Sequence, residues 1–353
     1  MEKSKQKRKK KGEAKTRLGL TFAYAASLTA VILLVGGWCV WNYLSTPYKG
    51  ESRWLYIPTG PEKEQIADSL ATLDDEFGHK VFLILSHAPR TNLYHAAGAY
   101  KVDNGTTALQ LARKLRRGNQ TPVKVTFNNI RTMEQLCQRL GTQFESSADD
   151  FISAADTVMT QLGFGKAQQI AAFFPDTYEF YWTERPPRVF KKLAAQHDKF
   201  WNESRMEKAR KLNLSPMEVT TLASIVEEET NKADERPIVA RLYLNRLAKD
   251  MPLQADPTVK FATGDFSLRR INKKHLEIRS PYNTYLNKGL PPGPIRMVNR
   301  QTIDDVLDAP KHNYLYMCAK EDFSGYHNFA VDFATHQANA RRYQAELNRR
   351  GIR

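Results

Sequence analysis

Residues 18–48 contain no charged side chain. A stretch this long and apolar has few places to go. Within it, residues 18–40 (LGLTFAYAASLTAVILLVGGWCV) predict a helix. At ~1.5 Å per residue it is long enough to cross the ~30 Å hydrocarbon layer of a bilayer. Trp38, Trp41 and Tyr43 cluster at its far end, where amphipathic rings favour the membrane interface. Nine basic residues (Lys3, Lys5, Lys7, Arg8, Lys9, Lys10, Lys11, Lys15 and Arg17) lie before the span, against Glu2 and Glu13. Such asymmetry places residues 1–17 in the cytoplasm, an anchor over 18–44, and everything after it outside. The rival is a cleaved signal peptide. Its apolar core would be shorter, ~7–15 residues, and followed by a small-x-small site. Cys39 does not mark a lipoprotein, because bulky Trp38 precedes it.

The formal charge of the chain is +15, of which the tail supplies +7. The rest of the chain is only mildly basic, so a nucleic-acid partner is not expected. Hydrophobic residues make up 41% of the chain, enough for a sizeable core, which excludes a wholly disordered protein. The three cysteines, at 39, 137 and 318, cannot form a disulfide framework, and Cys137 and Cys318 are expected to be unpaired. No Cys/His cluster has metal-ligand spacing. Neither a metal nor a cofactor is expected.

The exported part divides near residues 119–122. Before it, residues 53–58 (RWLYIP) predict a strand and 61–72 a helix. A second strand begins near Gly98, followed by a turn at Asn104-Gly105 and a helix over 107–117. Residues 123–127 and 132–140 repeat the strand–helix order as a weak echo. The assignment is a small α/β subdomain over 49–121 and a mainly helical domain with long loops over 122–353. The overall class is α+β.

One helix carries unusual chemistry. Ser215-Pro216-Met217-Glu218 is a strong helix start: a capping serine, a proline suited to the first turn, and a glutamate completing a capping box. The helix continues to about Thr230 (VTTLASIVEEET), with Val219, Leu222, Ala223, Ile225 and Val226 on one face. At ~100° per residue, Glu229 falls on the apolar side, Glu227 at its edge, and Glu228 opposite, in solvent. A carboxyl on the interior side has two readings. It is a structural acid paired with Arg236, Arg241 or Arg246, or a group held protonated for general acid chemistry.

Further motifs follow: FPDTY at 174–178, LNRL at 244–247, LQADPT at 253–258, YNTY at 282–285, GLPPGPI at 289–295, YLY at 314–316 and HNF at 327–329. FPDTY by itself reads as core, the double proline of GLPPGPI fixes a loop that could line a groove, and the others carry groups that suit sugars: tyrosine faces for pyranose rings, and Asn, Gln and Asp for hydroxyls. Together with LASIVEEET at 222–230, and in this order, they resemble the catalytic domain of the MltG (YceG-like) endolytic murein transglycosylase family. The resemblance is strongest over residues 173–340. It implies a LysM-like character for the subdomain at 49–121. It also implies cleavage of the β-1,4 bond between N-acetylmuramic acid and N-acetylglucosamine in nascent peptidoglycan strands, leaving a 1,6-anhydro end and terminating glycan polymerisation. The catalytic acid it implies is Glu229, with Glu227, Gln254 and Asp256 in support. Asn245, Tyr282, Asn283, Tyr285 and His327 are expected to contact the glycan. The implied location is the bacterial inner membrane, single-pass, with the catalytic domain periplasmic and penicillin-binding proteins as partner synthases. The alternatives are a muramidase-type hydrolase, in which water is the acceptor, and a wall-binding protein without activity.

Overall fold

The computed structural model describes residues 2–87 and 93–351, with backbone alone for 2–19. The first helix, α1 (Glu2–Leu44), contains the apolar stretch Leu20–Leu44, whose mean hydropathy is 1.9 and none of which is buried. By length and composition such a helix is able to cross a membrane.

The described residues form two compact units, one comprising the chain through Pro122 plus Tyr181–Thr183, the other the remainder. The first unit contains β1 (Arg53–Ile57), α2 (Lys63–Ala71), α3 (Asp75–His87), β2 (Gly98–Val102) and α4 (Ala108–Arg116). β1 and β2 pair antiparallel, from Arg53↔Val102 to Ile57↔Gly98. Leu55 and Ile57 from the sheet meet Ile66, Leu70, Val81, Leu85, Leu111 and Leu115 in a closed core. Thr107 caps α4 and exchanges hydrogen bonds with Gln110, which stops the helix from fraying where the chain leaves the sheet. Helix α3 has no counterpart in the pattern-based reading. Its segment DEFGHKVFLILSH has a solid apolar run and only a weak stripe, and tertiary packing decides its state.

The second unit holds β3 (Val123–Thr126), α5 (Met133–Gly141), α6 (Ala148–Gln161), β4 (Thr177–Phe180), α7 (Pro186–Phe200) and α8 (Glu203–Lys211). It continues through α9 (Pro216–Glu229), α10 (Arg236–Ala248), α11 (Asp256–Thr263), α12 (Lys273–Leu276) and α13 (Arg300–Leu307), and closes with β5 (Tyr316–Ala319), β6 (His327–Ala330) and α14 (Phe333–Arg349). β3 therefore pairs with β4, Val123↔Phe180 to Thr126↔Thr177, and is no extension of the first sheet. β5 and β6 form a hairpin whose register sets Ala319 opposite His327. The three free cysteines are unpaired, Cys137 buried and Cys318 half-buried.

Helix α9 is the axis of this unit. Ser215 and Glu218 make the expected capping box, with Glu218 Oε2 accepting from the Ser215 N–H at 2.7 Å. Every residue from Val219 to Glu227 is buried, because α8, α10, α11 and α13 all pack around it. It is not a surface helix with one wet face.

Candidate active site

Three acids at the end of α9 meet three environments. Glu227 is buried and points to α13. Its carboxylate accepts from the Asn299 N–H (2.9 Å), the Asn299 amide (2.8 Å) and the Thr302 hydroxyl (2.7 Å). Asn299 precedes α13 without capping it by its own side chain. Glu227 thus supplies the negative charge that a helix N-terminus favours. It holds two helices together.

Glu228 corrects the wheel reading. It is no solvated charge: its side chain is 12% exposed and lies between two guanidiniums, Arg131 at 2.9 Å and Arg296 at 2.6 Å. The side opposite the apolar stripe is covered by the chain before α5 and by the 289–296 loop, which no helical projection contains.

Glu229 is half-buried and lines a cleft of about 340 Å³. None of the arginines proposed as structural partners reaches it. Arg246 donates to Gln254 Oε1 and to the Pro252 and Leu315 carbonyls, and Arg241 to the Ala309 and Pro310 carbonyls. Arg236 forms no ion pair among the described residues. Glu229 instead accepts from the Tyr243 hydroxyl at 2.7 Å. Burial is the main cause that pushes its carboxyl up to about 7; the Tyr243 bond pulls down, and the charges of Asp256 and Glu228 push up. A carboxyl in this state holds its proton near neutrality and can give it away, as general acid catalysis requires.

The same cleft gathers Tyr243, Arg246, Gln254, Asp256, Tyr285, Tyr316, His327 and His336. Tyr285 donates to Asp256 Oδ1 at 2.6 Å. Gln254 sits at φ +52°, a left-handed conformation costly for a residue with a Cβ, and Arg246 holds its side chain at 2.6 Å. His327 is oriented by buried Glu235, which accepts from its backbone N–H at 2.7 Å and lies 2.8 Å from its Nδ1. Thr230, just beyond α9, donates to the same carboxylate at 2.9 Å, so one buried acid ties the end of α9 to β6. A second cleft of about 560 Å³ also contains Glu229 and Asp256, and extends past Pro257, Lys260 and Leu268–Ile271. Glu229 therefore stands where two arms of one groove join.

Three expected glycan contacts lie elsewhere. Asn245 donates both ways, to the His312 (2.7 Å) and Tyr314 (3.1 Å) carbonyls, and fastens the chain ahead of β5. Asn283 is fully buried, and its amide closes the loop onto the Leu276 and Ile278 carbonyls. Tyr282 turns to Phe261, ring centres 4.7 Å apart, and lines a separate cavity of about 400 Å³. Amide groups that satisfy loop carbonyls look the same in a sequence as those that meet a ligand. Conversely, Tyr243 and Tyr316 line the cleft without a role expected from the sequence, although LYLNRL and YLY contain them, and Arg246, expected as an ion-pair partner, lines it instead.

Glu229 is thus a half-buried, proton-bearing glutamic acid in a cleft lined by Tyr243, Tyr285, Tyr316 and Gln254. The comparisons with known proteins fit it. The YceG-like family profile matches residues 55–342, and the chain belongs to that family. An endolytic murein transglycosylase of Bacillus subtilis is 38% identical over 149 residues, 42% of this chain and 41% of that one. A protein of the same description from Streptococcus pneumoniae D39 is 27% identical over 326 residues, 82% of this chain and 59% of the relative. The chain thus spans between about two-fifths and three-fifths of the length of these curated relatives. A crystal structure of a putative YceG-like protein from Listeria monocytogenes superposes with a TM-score of 0.56 at 26% identity, covering 82% of this chain and 98% of that one.

Proposed function

We propose that the chain is a membrane-anchored lytic transglycosylase that cuts peptidoglycan glycan strands internally, with Glu229 as its acid and base. The observation that carries this reading is Glu229 itself: half-buried, bonded to Tyr243, without a cation, and protonated up to about pH 7. The carboxylic acid protonates the oxygen leaving C1 of the N-acetylmuramic acid as oxocarbenium character develops there. The carboxylate left behind takes the proton of the O6 hydroxyl of the same sugar. That oxygen attacks C1 and closes a 1,6-anhydro ring, so no water enters and the proton on Glu229 is restored. Tyr243 keeps the Oε1 edge in place through both steps. Gln254, Asp256 and Tyr285 bind hydroxyl and acetamido groups, and His327, held at Nδ1 by Glu235, offers Nε2 to the strand. Asp256 also supports a second reading, a hydrolase in which it activates water.

Helix α1 is the anchor, with residues 1–17 cytoplasmic and residues 49–353 outside. The unit that contains β1 and β2 is a LysM-like wall-binding module, and cleavage of nascent strands ends polymerisation by penicillin-binding proteins. The deciding experiment is digestion of purified glycan strands by the protein in detergent, followed by mass spectrometry. The transglycosylase yields anhydromuramoyl ends, lighter by one water than the ends a hydrolase leaves; binding without cleavage would support a wall-binding role alone.

A further inference from the structure

The two arms of the groove differ in charge. In the arm formed by Tyr243, Tyr285, Tyr316 and His327 the one guanidinium, Arg246, keeps its charge but has donors taken up by Gln254 and two carbonyls. The other arm is lined by Lys260, Arg269 and Arg270, and none of the three forms an ion pair among the described residues. The nearby Arg131 and Arg296 are consumed by Glu228, and Lys288 by Asp250. The acids at this arm do not balance the three cations: Glu228 is neutralised twice and Glu229 carries a proton, which leaves Asp256 in the arm and Asp265 near Lys260, two carboxylates against three cations.

The loop that presents the arginines is fixed in place. Asp265 accepts from the Ser267 N–H (2.9 Å) and hydroxyl (2.6 Å), closing a turn. Phe266 packs on Phe261, with ring centres 6.0 Å apart, beneath the Arg131 guanidinium at 5.2 Å. Lys260 is half-buried on α11, one turn beyond Asp256. Three cations on a braced loop and a helix, all facing the groove, are an arrangement for a carboxylate-bearing ligand.

We infer that the Lys260–Arg269–Arg270 arm is an anion subsite that receives the carboxylates of the peptide substituents on the glycan strand. This rests on the reading of Glu229 as the acid that cuts such strands. It makes peptide-substituted strands, and not bare polysaccharide, the preferred ligand, and it sets the direction in which a strand lies across Glu229. Phosphate is the other anion such a site accepts, and the test separates the two.

Binding is measured by calorimetry with the full chain in detergent, using the Glu229→Gln protein so that no strand is cut. The ligands are a soluble glycan fragment with its peptides, the same fragment after amidase removal of the peptides, and inorganic phosphate as competitor. The peptide-bearing fragment should bind about tenfold more tightly than the bare one. That advantage should shrink as salt is raised. It should vanish on adding Lys260→Gln, Arg269→Gln and Arg270→Gln together, and mostly vanish with the two exposed arginine changes alone, which cut into no core. Equal binding of both fragments, or an advantage that survives the triple change in a folded protein, overturns the subsite. So does phosphate at millimolar concentration displacing the fragments with and without peptides equally. Cleavage assays of the unmutated protein run beside it: an intact binding preference with no strand cut would refute the acid while leaving the subsite standing.

Discussion

At the scale of single residues, the end of α9 shows how three identical side chains part company. Glu229→Gln keeps the bond from Tyr243 but has no proton to give, so turnover should fall ~10²–10⁴-fold or more while glycan binding persists. The same change reports the carboxyl's environment through stability. An unperturbed glutamate titrates near 4.5, and Glu229 near 7, so the unfolded chain loses its proton first. Wild-type stability therefore declines as pH rises from about 4.5 to about 7 and is flat above. The Gln variant lacks that decline. Its Tm relative to wild type should rise across this window, and a Tm difference that stays constant, or reverses, would show that Glu229 is a paired structural acid. Tyr243→Phe removes the bond that lowers the Glu229 pKa. The basic limb of the rate profile should then move to higher pH, with lower kcat. A profile displaced to lower pH would contradict the role given to Tyr243.

At the scale of elements, α9 is held by the partners of Glu227 and Glu228. Glu227→Ala leaves the buried Thr302 hydroxyl without its acceptor and takes a buried counter-charge from Arg296, 3.4 Å away. A loss of about 3–5 kcal/mol in urea unfolding is expected. Glu228→Gln leaves Arg131 without a counter-charge and Arg296 with Glu227 alone, and should cost about 1–3 kcal/mol, with kcat of the folded fraction little changed. No loss from Glu228→Gln would return that residue to the solvated position its place on the wheel suggests. The proline-rich loop next to it is fitted as closely: a Cβ on Gly293 would stand 1.9 Å from the Ala167 carbonyl oxygen. The glycine there is a matter of close approach between two backbones.

At the scale of the whole molecule, the proposed topology gives α1 and residues 49–353 different solvents. The stretch Leu20–Leu44 is uncharged, apolar and unburied, and basic residues precede it. Under the proposed topology, a phosphatase reporter fused after Arg353 is active, because it lies outside the cytoplasm, and a chain starting at residue 49 appears in the soluble fraction. Reporter activity confined to the cytoplasm would invert the orientation.

The amino-acid sequence alone determined what depends on neighbours along the chain. The length of an uncharged run specified the apolar helix, Ser215, Pro216 and Glu218 specified where α9 begins, and turn and stripe signals placed β1, β2 and α4. Motif order carried the family, because several short patterns in one sequence are improbable together. Only the tertiary structure decided which groups meet. The helical projection set Glu229 on the interior side, but α9 is buried nearly all round, so interior position did not by itself distinguish the three acids. Tyr243 from α10 reaches Glu229, Arg131 and Arg296 from distant loops reach Glu228, and α13 reaches Glu227. The same holds for Asn245 and Asn283, whose amides are taken by backbone carbonyls up to 69 residues away in the chain. A carboxyl's proton affinity is set by the charges, hydrogen bonds and solvent within a few ångströms, and those neighbours are brought there by the fold.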